Sequence, residues 1–189
     1  MLNISKNKCV GCGICESECP VKAISVDIRK GLAIIDKNRC IDCKLCIKKC
    51  PQNAIKEITK ELLFAIGTDD EKRIKSDDHF GMSGFFQVWK YSNGELNFIE
   101  KRENSKYKED EERIHGDPGK AKATASVLKD IDVLVGKMMG PNIGRLKNQF
   151  VCVIIRESII EQGIKIIKEN INEIIEEEDK KERMGIILK

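Results

Sequence analysis

The sequence predicts two domains of different class: a small α+β unit, followed by a larger α/β unit on a mixed sheet of order βββαβαβα. Three observations predict this. Eight of the nine cysteines fall between residues 9 and 50, in a doubled run. After Lys60 the cysteine pattern stops, and apolar segments separated by turn residues begin. Within that part, Asn93-Gly94 divides two apolar segments in the manner of a two-residue hairpin turn.

In the first part, Cys9, Cys12, Cys15, Cys19 and Pro20 recur 31 residues later as Cys40, Cys43, Cys46, Cys50 and Pro51. Three cysteines at intervals of three residues wrap a tight loop around a small group. Gly11 and Gly13 supply the backbone freedom for that turn. The matching positions of the second run are Asp42 and Lys44, so the second loop turns without glycine. Proline after each fourth cysteine fixes φ and steers the chain away. The repeat extends to Val10 and Ile41, Ile14 and Leu45, and Ala23-Ile24 and Ala54-Ile55, which supply a dry shell around the ligands. Residues 1–57 contain no aromatic side chain, so bound metal is expected to serve as the core of so short a segment. A disulfide framework would require an oxidising compartment, and the N-terminal residues do not read as a signal peptide. Zinc sites use paired cysteines, without a third two residues further on and a closing Cys-Pro.

This run resembles that of bacterial two-cluster ferredoxins. The resemblance implies a ferredoxin-like domain over residues 1–58 with two [4Fe–4S] clusters that transfer single electrons. In that family the fourth cysteine of each run ligates the other cluster. By that resemblance Cys9, Cys12, Cys15 and Cys50 hold one cluster, and Cys40, Cys43, Cys46 and Cys19 the other.

Charged residues make up 34% of the 189 residues and hydrophobic ones 41%, as expected of a soluble globular protein, and no apolar run is long enough to span a bilayer. The net charge of +3 divides unevenly: residues 1–57 carry 11 basic and 6 acidic side chains, leaving 23 and 25 for the rest. Two oxidised clusters, each about −2 with its thiolates, bring the total to roughly −1. A basic surface for nucleic acid is therefore not expected.

The second domain is read over residues 59–178, with a charged tail at 179–189. Leu62 to Ile66 is a buried strand, and Phe85 to Tyr91 and Glu95 to Glu100 form the hairpin around Asn93-Gly94. Lys101 to Ile114 is a polar excursion. A helix follows from Pro118 to Lys129 with Asp117 as its cap, then a strand at Asp132 to Gly136. A short helix at Asn142 to Asn148 leads to a strand at Phe150 to Ile155. One long helix from Ile160 to Glu178 carries the stripe Ile164, Ile167, Ile171, Ile174 and Ile175. Ile186 to Leu188 either docks as a small strand or frays. This is a ribonuclease H-like order, although order assigns no function. The first strand holds no carboxylate for a nuclease's metal ions.

Ala65-Ile66-Gly67-Thr68, Asp78-His79-Phe80-Gly81, Phe86 to Tyr91, Asp132 to Gly136 and Gly140-Pro141-Asn142 resemble the dinitrogenase iron–molybdenum cofactor biosynthesis domain. The resemblance covers residues 60–175, with His-Phe-Gly and Gly-Pro-Asn its most specific parts. It implies a ribonuclease H-like domain that binds an additional iron–sulfur metallocofactor or precursor, shuttling or storing it during assembly. It makes His79 an imidazole ligand, with Gly81 leaving room for a bulky group. Met139 and Asn142 follow a strand, in the crevice where α/β sheets bind ligands. A loop histidine bonded to a neighbouring carboxylate, and methionine as core filler, are the plainer readings of the same residues. His115 reads as part of a turn and helix cap, and Cys152 as an inert core thiol.

The expected function is one-electron transfer coupled to metallocluster handling. The alternative is a plain electron carrier whose second domain only docks a redox enzyme. No nucleophile–base pair or open catalytic metal site suggests an enzyme. Expected partners are a redox donor or acceptor and metallocluster assembly proteins, with neither nucleic acid nor membrane. An anaerobic cytoplasm is the expected setting.

Overall fold

A computed structural model describes residues 2–105 and 118–188, and its contacts divide the chain into Met1–Thr59 and Lys60–Lys189. In the first unit, β1 (Leu2–Ile4), α1 (Ile14–Ser17) and β2 (Ile24–Asp27) come from the first cysteine repeat. β3 (Leu32–Ile35), α2 (Leu45–Lys49) and β4 (Ile55–Glu57) come from the second. β1 pairs antiparallel with β4, and β2 with β3. Ile4 lies opposite Ile55, and Ile24 opposite Ile35; adding 31 to Ile4 and Ile24 gives Ile35 and Ile55. The bonds beyond the strands obey the same shift: Ser5 N–H donates to Ala54 O (2.8 Å), and Asp36 N–H to Ala23 O (2.7 Å). Each ribbon thus takes one strand from each half, and the repeats interlock rather than stand side by side. The core is small: Leu2, Cys15, Ile24, Ala33, Cys46 and Ile55 are buried, with Cys9, Cys19, Cys40 and Cys50 packed around them.

The second unit has six strands in the order β10-β9-β8-β5-β6-β7. These are β5 (Leu62–Thr68), β6 (Phe85–Ser92), β7 (Glu95–Glu103), β8 (Val133–Gly136), β9 (Val151–Ile155) and β10 (Ile186–Leu188). β5, β6 and β7 are antiparallel, whereas β8, β9 and β10 continue parallel to β5, so the sheet is mixed. The helices are α3 (Pro118–Val127), α4 (Ile143–Leu146), α5 (Ile160–Glu169) and α6 (Ile171–Glu178). Strand alternation divides the core between two faces. Ala65, Phe86, Val88, Leu134 and Cys152 pack with Leu128 after α3, Leu146 of α4, and Phe150. Phe64, Ile66, Val133, Val135, Val153 and Ile155 are buried at the alternate positions. Over that second face, Gly163 of α5 brings its backbone close to Ile74 and Ile155.

One expectation is corrected and one alternative is decided. The single long helix is two, because Asn170 leaves helical geometry (φ −115°, ψ 18°) and its side-chain amide donates to Ile166 O at 2.7 Å. A side chain that bonds its own backbone in this way competes with the helix. In the charged tail at 179–189, Ile186–Leu188 docks rather than frays, pairing parallel to β9. The buried Glu177 carboxylate holds the approach to that strand, accepting the N–H groups of Met184 and Gly185. Of the expected polar excursion, Lys101–Glu103 belongs to β7, while 106–114, His115 and the Asp117 cap lie outside the described residues. No helix among the described residues is long and apolar enough to cross a membrane.

Candidate functional site

The interlocked strands decide which cysteines meet. Cys9 follows β1 and Cys50 precedes β4, so the β1–β4 pairing brings the fourth cysteine of the second run to the first loop. Cys9, Cys12, Cys15 and Cys50 line one partly open concavity. Ile4, Val10, Ile14, Ala33, Pro51, Ala54 and Ile55 supply most of its remaining lining. Burial pushes the Cys15 thiol up, and the neighbouring Cys9, Cys12 and Cys50 thiols add to the effect. Burial also raises Cys46; the Ile47 N–H opposes it, and Cys40 and Cys43 reinforce it. Crowded thiols of this kind ionise when iron supplies the compensating charge.

Further backbone N–H groups aim at cysteine sulfurs: Ala33 at Cys9 (3.4 Å), Ala54 at Cys50 (3.3 Å) and Ala23 at Cys19 (3.2 Å). Such bonds stabilise the charged sulfur and set reduction potential. The loop backbone is equally specific. Gly11 has φ 63°, and a Cβ there would stand 2.6 Å from Gly31 O. The second loop reaches the same left-handed region with Asp42 (φ 54°) and Lys44 (φ 61°), and Lys44 is tied to Glu57 at 2.7 Å. Among the described residues no three His, Cys, Asp or Glu side chains gather as a site for a single metal ion. Four thiolates around an apolar concavity, with N–H donors aimed at the sulfurs, fit an iron–sulfur cube.

In the second unit, the turn between β5 and β6 carries His79 to the carboxyl ends of β5 and β8. Phe80 anchors it. Gly67, next to last in β5, and Gly136, ending β8, leave room for its ring; a Cβ on either would come within 3.0 to 3.3 Å of that ring. Phe80 N–H donates to Met138 O (2.7 Å), and Met82 N–H to His79 O (2.8 Å). With Phe80 sunk in the core, His79 stands exposed, its N–H bonded to the Asp78 carboxylate (2.7 Å). Its imidazole lies against Gly140, where a Cβ would be 2.7 Å from Cγ.

The structure therefore brings His79 to the Gly140-Pro141-Asn142 loop. Gly81 adjoins it on the α3 side, its carbonyl accepting Asn104 Nδ2 at 2.9 Å. Asn142 is half-buried, and its Oδ1 accepts Arg145 Nη1 at 2.9 Å. Met139 does not face this surface. It is 4% exposed and packs in the apolar floor with Phe80 and Phe86, while Met138 presents the exposed thioether. Which of two adjacent methionines turned inward depended on the Phe80 seat, and periodicity in the sequence carries no trace of that. The Gly67–Gly136 pair at the ends of neighbouring parallel strands was the available signal. Cys152 is buried in β9, and that burial pushes its thiol up to about 12, as expected of a core thiol.

Residues 8–56 match the family model of the 4Fe-4S dicluster domain, and residues 60–180 that of the dinitrogenase iron-molybdenum cofactor family. No curated protein matches the chain. Among solved structures it is similar to one from Methanocaldococcus jannaschii described as a candidate dinitrogenase (13% identity, TM-score 0.41, covering 58% of this chain and 90% of that one). It is also similar to an adenosine 5'-phosphosulfate reductase in complex with substrate (20% identity, TM-score 0.28, covering 65% and 85%). Two [4Fe–4S] clusters are the cofactors of the N-terminal unit, and the chain as a whole belongs to the dinitrogenase iron-molybdenum cofactor family.

Proposed function

We propose that this protein is a redox-active carrier in metallocluster assembly. Its first unit holds one cluster on Cys9, Cys12, Cys15 and Cys50, and the second on Cys40, Cys43, Cys46 and Cys19. Its second unit, read as ribonuclease H-like with β10 as an added edge strand, holds an iron–sulfur cargo at His79. Gly81, Gly140 and Asn142 border that site. The protein acts as a carrier, not as an enzyme, exchanging electrons with redox proteins and cargo with assembly proteins in an anaerobic cytoplasm.

The observation that carries this reading is the exposed His79 imidazole resting on Gly140 at the carboxyl ends of β5 and β8. Neutral imidazole is a good iron ligand, and a glycine beside it lets a large rigid group approach the backbone. The test is anaerobic loading followed by iron counting. The ferredoxin sites alone account for about eight irons, four per cluster. Wild-type protein should retain iron beyond that number. His79→Ala, and Gly140→Ala, whose methyl group would displace the ring, should lose the excess and keep the eight. Retention of eight irons by wild type and both variants would leave a plain electron carrier whose second unit docks a redox enzyme.

A further inference from the structure

The repeat gives both clusters an apolar rim of the same size. Val10 and Ile14 flank the exposed Cys12, and Ile41 and Leu45 flank the exposed Cys43; Val10 and Ile41 are each 62% exposed. The first rim has a neighbour in its own unit. The turn joining β2 to β3 presses Gly31 O against Gly11, and Ala33 of β3 donates to Cys9 Sγ. This turn is preformed: Asp27 Oδ1 accepts Arg29 N–H (3.0 Å) and Lys30 N–H (3.3 Å), and Asp27 O accepts Gly31 N–H (2.8 Å). At its tip Ile28 is 90% exposed, and neither Arg29 nor Lys30 has an ion-pair partner among the described residues. The acidic groups on the adjoining helix are Glu16 and Glu18, and Glu18 is paired with Lys49 at 3.5 Å. The second rim lacks such a turn, because at the equivalent point the chain leaves β4.

We propose that this first rim, with the Asp27–Gly31 turn, is the docking surface for an acidic one-electron carrier protein. The inference rests on the electron-transfer reading of the first unit. Val10 and Ile28 supply apolar contact on either side of the Gly11–Gly31 junction, and Arg29 and Lys30 supply the charge complement. Small apolar contacts ringed by complementary charge suit transient redox encounters, in which charge sets the association rate. In the exchange the partner gives up one electron and the cluster on Cys9, Cys12, Cys15 and Cys50 takes it. No bond forms or breaks, and no proton moves.

The test uses the full chain with clusters reconstituted anaerobically, and a reduced acidic flavodoxin as probe. Arg29→Glu with Lys30→Glu should lower the second-order electron-transfer rate about 10-fold or more at low ionic strength and flatten its salt dependence. The same pair should weaken binding of the flavodoxin in a direct titration, leaving iron content unchanged. Lys48→Glu, an exposed lysine on α2 of the second run, should do neither. Unchanged rate and affinity in the double variant, or a larger loss in Lys48→Glu, would overturn the proposal. If dithionite itself cannot reduce the reconstituted clusters, the electron-transfer reading falls instead.

Discussion

Gly11 and Gly13 occupy the same cysteine loop with the same left-handed backbone, yet their surroundings differ. A Cβ on Gly13 would meet nothing within 4 Å, whereas on Gly11 it would collide with the backbone of Gly31. Gly13→Ala should therefore cost only the left-handed strain, about 1–2 kcal/mol. Gly11→Ala must also push the β2–β3 turn away, and with it Ala33, whose N–H bonds Cys9. After gel filtration Gly13→Ala should keep the full cluster iron, and Gly11→Ala should lose about half of it, one of two clusters. Equal retention by the two variants would mean that the Gly31 contact is soft. The sequence already marked both positions as turn glycines, since glycine takes the left-handed backbone of such a loop without strain, where the second run must put Asp42 and Lys44. It could not distinguish them, because the atom that does so lies 20 residues away and arrives only through strand pairing.

At the level of elements the same division holds. Segments whose signal is local were legible: the hairpin at Asn93-Gly94, the continuous apolar strands β5, β8 and β9, and the isoleucine stripe of α5 and α6. Elements decided by tertiary partners were left open. β10 is only three residues long and becomes a strand because Val153, Ile154 and Ile155 offer it an edge. Its anchor is Glu177. Burial works to raise this carboxyl, but Lys180 and the N–H groups of Gly185 and Met184 outweigh it and hold the group below the usual carboxylate range. A carboxyl depressed by folding stabilises the native state above its unfolded pKa of about 4.3, and that contribution is lost as pH falls through the lowered folded value. Glu177→Ala leaves two backbone donors without their acceptor, at a cost of about 1–3 kcal/mol. Hydrogen exchange should report early loss of protection at Ile186–Leu188 in the variant at neutral pH, and in wild type only on acidification. Protection there that survives Glu177→Ala would assign the strand's docking to its apolar side chains alone.

For the whole molecule, the two units depend on different kinds of core. The first buries six residues in its apolar cluster, two of them cysteines, with four more cysteines packed at its edge. Without aromatic side chains and below the usual size for metal-free folding, such a unit gains its stability from what the thiolates bind. The second unit buries Phe64, Phe80, Phe86, Phe150 and Tyr91 around a six-stranded sheet, enough apolar area to hold without metal. Removing the iron should therefore split one protein into two behaviours. With an iron chelator under mild acid, the visible absorption of the clusters and the β1–β4 and β2–β3 amide protection should vanish together. Protection across β5, β6, β8 and β9 should persist, with a separate melting transition close to that of the loaded protein. The alternative has an equally clear signature: one transition that shifts as a whole when iron leaves would mean that the second unit borrows stability from the first. Two transitions, only one of them iron-dependent, are also what the proposed carrier requires, since the cargo surface at His79 must keep its shape while clusters are exchanged or lost.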